Sequence, residues 1–254
     1  MLLAIDIGNT NTVLGVFDGD TLDRSWRIKT DARSTADELA LIFRGLLADH
    51  PVDSIAACST VPAASRELRA MLDGYYPHLP TVLVEPGIRT GVGIRTENPR
   101  EVGADRICNT AAAHHLARGP AIVVDFGTST NFDVVSDKGE FLGGALAPGI
   151  EISLDALAAR AAQLRKVDLV EPRTPIGKNT VESLQSGILY GFAGQVDGLV
   201  RRLSAALVPD DPGCVEVIAT GGLAPLMIEI SETLTRHEPD LTLLGLRLIY
   251  ERNA

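Results

Sequence analysis

Two stretches of this sequence combine residues that can hold phosphate groups. The first, residues 2–13, places Asp6 at the end of an apolar strand, and the second, residues 121–131, places Asp125 in the same position. Each continues with a glycine that permits a tight turn and with hydroxyl and amide side chains that can bind phosphate oxygens. A carboxylate repels phosphate directly but can hold it through a metal ion or an ordered water. The first stretch alone is equally typical of an Asn- and Thr-rich hairpin, but its recurrence predicts two similar halves.

A third strand, Val215–Ala219, is followed by Thr220, Gly221 and Gly222, and the two missing side chains leave room for a flat ring. Two phosphate turns and such a glycine shelf resemble the actin-like, sugar-kinase and Hsp70-type ATPase superfamily. The resemblance implies an α/β protein of two duplicated actin-like (ribonuclease H-like) domains with a nucleotide cleft between them.

The elements that would position these turns follow one order in each half: a three-strand meander, then alternating helix and strand. Thr35 and Glu38 have the spacing of a capping box, which predicts a helix to about residue 48. Gly119-Pro120 stops a helix and predicts a boundary between domains of residues 1–118 and 119–254. The end of the chain is predicted to form a strand, 241–244, and a helix, 246–251.

A long predicted helix, residues 181–207, carries four glycines, which weaken a helix by up to ~1 kcal/mol each relative to alanine. Close contact with another backbone would compensate for that loss. The contact could be packing within the chain or a subunit interface, and the sequence leaves both open.

Composition narrows the class of protein. With 254 residues, 45% of them apolar, the chain can bury a large core, and its net charge of −10 argues against general binding of nucleic acid. The three cysteines form no CxxC pair and are predicted to be small buried residues in a reducing compartment. No signal peptide or membrane-spanning run is recognisable, which predicts a soluble cytoplasmic protein without a membrane partner.

The segment 99–106 carries a second candidate for chemistry. Gly103 and Ala104 leave the backbone approachable, and Asp105 and Arg106 open a helix whose free N–H groups favour an anion. Taken alone, Asp105 and Arg106 are more typical of a helix cap with a surface ion pair than of a reactive site. Beside two phosphate turns, Asp105 is a candidate general base for phosphoryl transfer to an alcohol, and Arg106 a candidate partner for a substrate carboxylate.

Six motifs together sharpen the resemblance from a superfamily to a family. They occur in the order Asp6–Asn11, Gly103–Arg106, Asp125–Thr128, Gly177–Thr180, Thr220–Gly222 and Tyr250–Asn253. The chain thereby resembles the type III pantothenate kinases over nearly its whole length. The resemblance implies transfer of the γ-phosphate of ATP to the primary hydroxyl of pantothenate, giving 4'-phosphopantothenate in the first step of coenzyme A biosynthesis.

The resemblance also implies a role for individual residues. Asp105 would be the catalytic proton acceptor, Asp125 would bind a monovalent cation (K⁺ or NH₄⁺), and Asp6 would hold Mg²⁺ through the phosphates. Thr180 would reach pantothenate from the other subunit of a homodimer with a shared substrate site. The residues implied to bind ATP are Asp6, Ile7, Gly8, Asn9, Thr10, Asn11, Thr12, Val13, Thr128, Gly221 and Gly222. Those implied to bind substrate are Thr96, Gly103, Ala104, Asp105, Arg106 and Thr180.

Two positions depart from the family pattern. Thr96 stands where the family usually has a pocket tyrosine, and Asn131 stands where a threonine is expected. Two rival functions stay open, a sugar kinase of the same superfamily and a non-catalytic transcriptional accessory factor. Other signals are weaker: Gly177-Lys178-Asn179 lacks the rest of a P-loop, His114-His115 lacks partner carboxylates, and no GxSxG motif occurs.

Overall fold

A computed structural model describes residues 1–160 and 167–254, which form two compact units. The first unit comprises residues 1–93, 97–112 and 241–254, and the second comprises 94–96 and 113–240. The sequence predicted domains of residues 1–118 and 119–254. The largest difference is that the last fourteen residues pack with the first unit.

The first unit is built on a five-stranded sheet with the order β3-β2-β1-β4-β5. The first three strands are antiparallel, and β4 and β5 run parallel to β1. One face of the sheet packs against helices α1 and α2. The other face, through Leu2 and Ala4, packs against α3 and the C-terminal helix α7, Leu241–Glu251. The bounds are β1 Leu2–Ile7, β2 Asn11–Asp18, β3 Thr21–Lys29, α1 Ala36–Leu46, β4 Ser54–Ser59, α2 Pro62–Tyr75, β5 Thr81–Leu83 and α3 Ala104–Leu116.

The second unit repeats this topology. Its sheet has the order β10-β9-β6-β7-β8, so β6 to β10 take the places of β1 to β5, and the predicted duplication is confirmed. Its core lies between the sheet and helices α5 and α6. The bounds are β6 Ala121–Phe126, β7 Ser129–Val135, β8 Phe141–Pro148, α4 Ile150–Arg160, α5 Thr180–Leu207, β9 Glu216–Thr220, α6 Ala224–Ile228 and β10 Arg236–His237.

Local sequence accounts for several of these ends. Thr35 accepts a hydrogen bond from the N–H of Glu38, whose carboxylate accepts one from the N–H of Thr35, so the predicted capping box is confirmed. Asn179 caps α5 by accepting from the N–H of Glu182 at 2.9 Å. The sequence also predicts an Ala-rich helix after Gly149 that ends near Arg165; this helix is α4, and its predicted end lies outside the described residues.

The C-terminal segment is one helix, α7 Leu241–Glu251, and the predicted strand over 241–244 is wrong. Leu243, Leu246 and Ile249 recur at helical spacing and pack into the first unit. Gly245 lies directly against the backbone of Cys108 on α3, where a side chain would collide with the Cys108 carbonyl. The strand prediction failed because a short apolar run fits a buried strand or a buried helix equally well.

Two further predictions meet the described structure with different results. Cys58 and Cys108 are buried as predicted, but Cys214 is exposed, because it lies in a short turn, Pro212–Cys214, before β9. No helix within 1–160 or 167–254 has the length and apolar character needed to cross a membrane.

Asp197, in the middle of α5, organises a loop that sequence patterns did not predict. Its carboxylate is 7% exposed and accepts hydrogen bonds from the hydroxyl of Ser231 (2.6 Å), the hydroxyl of Thr233 (2.8 Å) and two backbone N–H groups. Burial acts to raise the pKa of Asp197, but these hydrogen bonds outweigh it and hold the pKa below its usual value. The ionised carboxylate therefore fastens residues 231–233 to the helix before β10.

Replacing Asp197 with alanine should lower the free energy of unfolding by about 3 kcal/mol at pH 7, because several buried donors lose one acceptor. Because the folded pKa is lowered, this contribution is complete above the usual aspartate range and disappears as pH falls through the folded value. Urea unfolding at pH 7 and pH 3.5 measures it. The control is Asp210→Ala at an exposed position. Equal losses for both variants would contradict the role of Asp197.

Candidate active site

Asp6 occupies a row of four side chains that crosses the first sheet. Asp6 on β1 is in register with Val13 on β2 and with Cys58 on β4, and Val13 is in register with Arg27 on β3. Residues directly opposite each other on paired strands point to the same face. The carboxylate therefore faces the side of the sheet that α3 covers.

The surroundings of Asp6 raise its pKa from 3.8 to about 7. Burial is the largest cause and the negative charge of Asp105 the second, while a hydrogen bond from the Cys58 thiol (3.3 Å) and the charge of Arg27 oppose them. Asp6 and Asp105 are thus close enough to repel each other. A pair of this kind favours a bound cation or a shared proton.

The first phosphate turn, residues 8–11, is closed by a hydrogen bond from the N–H of Gly8 to the carbonyl of Asn11 at 3.0 Å. Asn9 and Thr10 are exposed at its tip. Ile7 and Thr12 are buried on the opposite face, where the Thr12 and Thr30 hydroxyls lie 2.9 Å apart. Of the predicted ATP-binding run, Ile7 and Thr12 therefore support the turn, and Asn9 and Thr10 form its exposed tip.

Asp105 lies in the first turn of α3, and burial raises its pKa against the opposing effects of the N–H and the charge of Arg106. The Arg106 N–H donates to its Oδ1 at 2.9 Å. A side chain at Gly103 would displace that same oxygen, so the missing side chain leaves room for the carboxylate. The carboxylate is held in one place and is a better proton acceptor than an exposed aspartate.

The second unit carries its own group of predicted site residues. Asp125 on β6 is in register with Asn131 and Thr220. Gly221, at φ 91°, brings its backbone against the Asp125 carboxylate and the Phe126 carbonyl. Gly149, just before α4, packs closely on the turn at Thr128, and a side chain at residue 149 would collide with the Thr128 carbonyl. The unexpected Asn131 accepts a hydrogen bond from Ser129 at 3.1 Å.

The other predicted contacts of this unit stand on separate elements. Thr96 packs near Gly143 on β8, and its buried hydroxyl has no hydrogen-bond partner among the described residues. Thr180 is the exposed first residue of α5. Gly222 follows Gly221 after β9. The first unit thus brings together Asp6, the turn tip and Gly103–Arg106, and the second carries the rest.

No group of three or more potential metal ligands occurs among residues 1–160 and 167–254. The residues present nevertheless fit the implied ions. Mg²⁺ in phosphate-transfer sites takes one or two carboxylates, with phosphate and water oxygens completing its shell, and Asp6 offers one carboxylate beside the turn. Next to Gly221, the Asp125 carboxylate and Phe126 carbonyl offer oxygens of the kind that a monovalent cation binds.

Sequence reasoning missed three residues at the first turn. Cys58 donates to Asp6, and Arg27 stands in the same row. Thr30 donates from its hydroxyl to the carbonyl of Gly8 at 2.8 Å and from its N–H to that of Thr10 at 3.0 Å. None belongs to a motif, and only the strand register, which the sequence does not specify, brings them to Asp6.

Solved structures share this class of fold. A ROK hexokinase from Thermus thermophilus superposes with a TM-score of 0.54 at 19% identity, covering 100% of this chain and 99% of that one. A Baf family protein from Campylobacter jejuni reaches 0.63 at 18% identity, covering 99% and 98%. With the duplicated sheets and turns, these likenesses establish a two-domain fold of the sugar-kinase and actin-like type.

The sequence comparisons identify the family within that class. The sequence profile of the type III pantothenate kinases matches residues 2–202. A type III pantothenate kinase from Parafrankia sp. is 66% identical over 254 residues, which cover 100% of this chain and 99% of the relative. The chain belongs to the type III pantothenate kinase family.

The raised pKa of Asp6 predicts a stability effect of the variant Asp6→Asn without ligands. Between pH 3.8 and about 7 the folded wild type keeps a proton that the unfolded chain releases, so its stability falls as pH rises. Asparagine carries no such penalty. The variant should match the wild type near pH 4 and exceed it at pH 8 by on the order of 2 kcal/mol.

Urea unfolding across this range measures the gap between the two proteins, and Asp49→Asn, at an exposed position, is the control. Asp6→Asn should lose activity although its free energy of unfolding is higher, as expected where a functional residue carries a charge that destabilises the fold. A gap of the same size at every pH would contradict the assigned environment of Asp6.

Proposed function

We propose that this protein transfers the γ-phosphate of ATP to the primary hydroxyl of pantothenate, giving 4'-phosphopantothenate in the first step of coenzyme A biosynthesis, in the cytoplasm. One observation carries the chemistry. A buried carboxylate, Asp105, opens a helix in the same unit as the phosphate turn and lies close enough to Asp6 to raise its pKa. Family membership supplies the identity of the acceptor.

Asp105 accepts the proton of the pantothenate hydroxyl as that oxygen attacks the γ-phosphorus. The bond from this phosphorus to the β–γ bridging oxygen breaks, and ADP leaves. Gly103 and Ala104 let the substrate approach the backbone, and Arg106 can bind its carboxylate bidentately. Thr96 supplies a hydroxyl where the family usually has a tyrosine.

The negative charge of the ATP phosphates needs positive charge beside it, and the sequence has no basic cluster to provide it. Mg²⁺, held by Asp6 through the phosphates, would neutralise charge on the transferring group, and K⁺ or NH₄⁺ would be bound at Asp125. The tip residues Asn9–Asn11 and Thr128 contact phosphate oxygens, and Gly221 and Gly222 make room for the adenine ring. The two buried carboxylates in the first unit support this assignment because their repulsion is relieved by a bound cation.

Two rivals compete with this function. A sugar kinase of the same fold needs the ATP turns but not the Gly103–Arg106 segment. A regulatory protein without catalysis has no need of a buried Asp105 with a raised pKa, since burying a carboxylate is unfavourable without a function. The Gly103–Asp105 packing therefore favours the kinase of pantothenate.

The deciding experiment is an ADP-release assay with Mg-ATP and pantothenate, run beside glucose, N-acetylglucosamine and N-acetylmannosamine. Phosphorylation of pantothenate alone is expected, and mass spectrometry of the product checks it. Each reaction is run in KCl, NH₄Cl and NaCl, and activity should fall in NaCl. Turnover of a sugar but not of pantothenate would overturn the proposal.

Replacing Asp105 with asparagine keeps its shape and removes the proton acceptor, so kcat should fall by roughly 10²–10⁴-fold. Binding of ATP should change little, because the turn at residues 8–11 is untouched. Steady-state kinetics and calorimetric titration of a non-hydrolysable ATP analogue measure the two effects. The control is Asp49→Asn, and near-normal turnover of Asp105→Asn would contradict the role of Asp105 as base.

We further propose a homodimer formed through the second unit. At Gly187, Gly191 and Gly194 on α5, an added Cβ would meet no atom within 4 Å outside the helix's own neighbouring backbone, so packing within the described chain does not explain these glycines. The same unit exposes Leu146 (70%) and Ile176 (69%). Glycines and apolar side chains on an open surface are typical of a self-complementary contact between two copies.

In such a dimer, Thr180 would complete the substrate site of the other subunit. Asp105→Asn and Thr180→Arg should each be inactive alone. In a mixed dimer one site carries both defects and the other neither, so random pairing of equal amounts should restore about one quarter of wild-type activity.

Native mass spectrometry must first show that subunits exchange. Ala205→Arg, exposed near the other end of α5, is the control and should remain active alone. Exchange without recovery means that Thr180 serves its own chain, and the shared site is then wrong.

A further inference from the structure

Arg27 stands in the cross-strand row that carries Asp6. The row runs Arg27, Val13, Asp6, Cys58 across β3, β2, β1 and β4, and all four side chains point to one face of the sheet. Nothing in the motifs or in the mechanism above gives Arg27 a role.

The guanidinium of Arg27 is exposed and has no ion pair or hydrogen bond within residues 1–160 and 167–254. Its neighbours in the same unit are engaged: Arg247 pairs with Asp20 and Glu251, Arg69 pairs with Glu85, and Arg24 lies 5.5 Å from the ring centroid of Trp26. In a protein with a net charge of −10, a guanidinium that makes no ion pair or hydrogen bond with the described residues on the face of Asp6 is available to an anion from outside the chain.

The spacing suits a phosphate group. Strands lie about 4.8 Å apart, so the Cα atoms of Arg27 and Asp6 are separated by roughly 10 Å. An extended arginine side chain spans most of that interval, and Val13, which lies between them, offers it no polar partner. The charge of Arg27 acts on Asp6, which places the two within electrostatic reach.

The second unit shows that the fold itself does not require a cation at this position. Its corresponding row runs Leu146, Asn131, Asp125, Thr220 across β8, β7, β6 and β9. Leu146, 70% exposed, stands in the place of Arg27. Arg27 is thus particular to the half that carries the proposed base.

We propose that Arg27 binds the terminal phosphate of ATP and positions it for transfer. Its planar guanidinium donates two parallel hydrogen bonds to non-bridging oxygens of that phosphate and offsets the negative charge that Asp6 and Asp105 bring to the same face. This role rests on ATP as the phosphate donor in the proposed function.

The test compares Arg27→Gln, Arg27→Lys and the control Arg24→Gln, which lies on the same strand but faces the opposite side of the sheet. Calorimetry with Mg²⁺ measures the affinity for ADP and for the β,γ-imido analogue of ATP. Arg27→Gln should lose roughly 10- to 100-fold in affinity for the analogue and little for ADP, because only the analogue carries the terminal phosphate. Arg27→Lys should recover part of the loss, because it keeps the charge but not the paired hydrogen bonds.

Kinetics provide a second measurement. In Arg27→Gln, kcat/KM for ATP should fall while KM for pantothenate stays within about twofold, and thermal unfolding should match the wild type. Equal losses for ADP and the analogue, or the same loss in Arg24→Gln, would overturn the proposal. Calorimetry needs no acceptor, so it tests Arg27 separately from the proposed function. If the wild type fails to phosphorylate pantothenate but Arg27→Gln still loses affinity for the ATP analogue and not for ADP, the proposed function is wrong and the role of Arg27 is supported.

Discussion

The first unit depends on holding two carboxylates where they repel each other. Asp6 lies on the paired strand β1, and Asp105 lies in the first turn of α3, where its carboxylate accepts from the Arg106 N–H and packs against Gly103. Burial and mutual repulsion raise the pKa of Asp6 to about 7. The fold therefore carries an electrostatic cost, which a bound cation would relieve.

Duplication gives both units an aspartate in the same place with different surroundings. Both sheets set an aspartate at the same point of the first strand, followed by a turn containing glycine. The partner strand differs: Cys58 stands beside Asp6 and donates a hydrogen bond to it, whereas Thr220 stands beside Asp125 and leads to Gly221. The first unit therefore holds an aspartate with a raised pKa, while the second brings the backbone of Gly221 close to its aspartate.

Local signals in the sequence predicted the parts of this structure that depend on neighbours in the chain. The capping box at Thr35 and the two turns after Asp6 and Asp125 are of this kind. The contacts of Asp6 with Cys58 and of Gly8 with Thr30 join residues 52 and 22 positions apart, and strand register alone decides them. The same lack of distant information explains the strand wrongly predicted over 241–244, because an apolar run does not reveal the contact of Gly245 with Cys108.

The choice of acceptor is separable from the choice of nucleotide in this fold. The hexokinase from Thermus thermophilus shares the architecture at 19% identity, so the architecture by itself does not select an acceptor. The segments that the proposed function assigns to the acceptor are short: the start of α3, where Gly103 makes room for the Asp105 carboxylate, and residue 96, where the family usually has a tyrosine. In that proposal Thr96 offers the acceptor a hydroxyl in place of an aromatic ring. The proposed function therefore assigns the selection of pantothenate chiefly to the backbone at Gly103–Ala104 and the charge of Arg106.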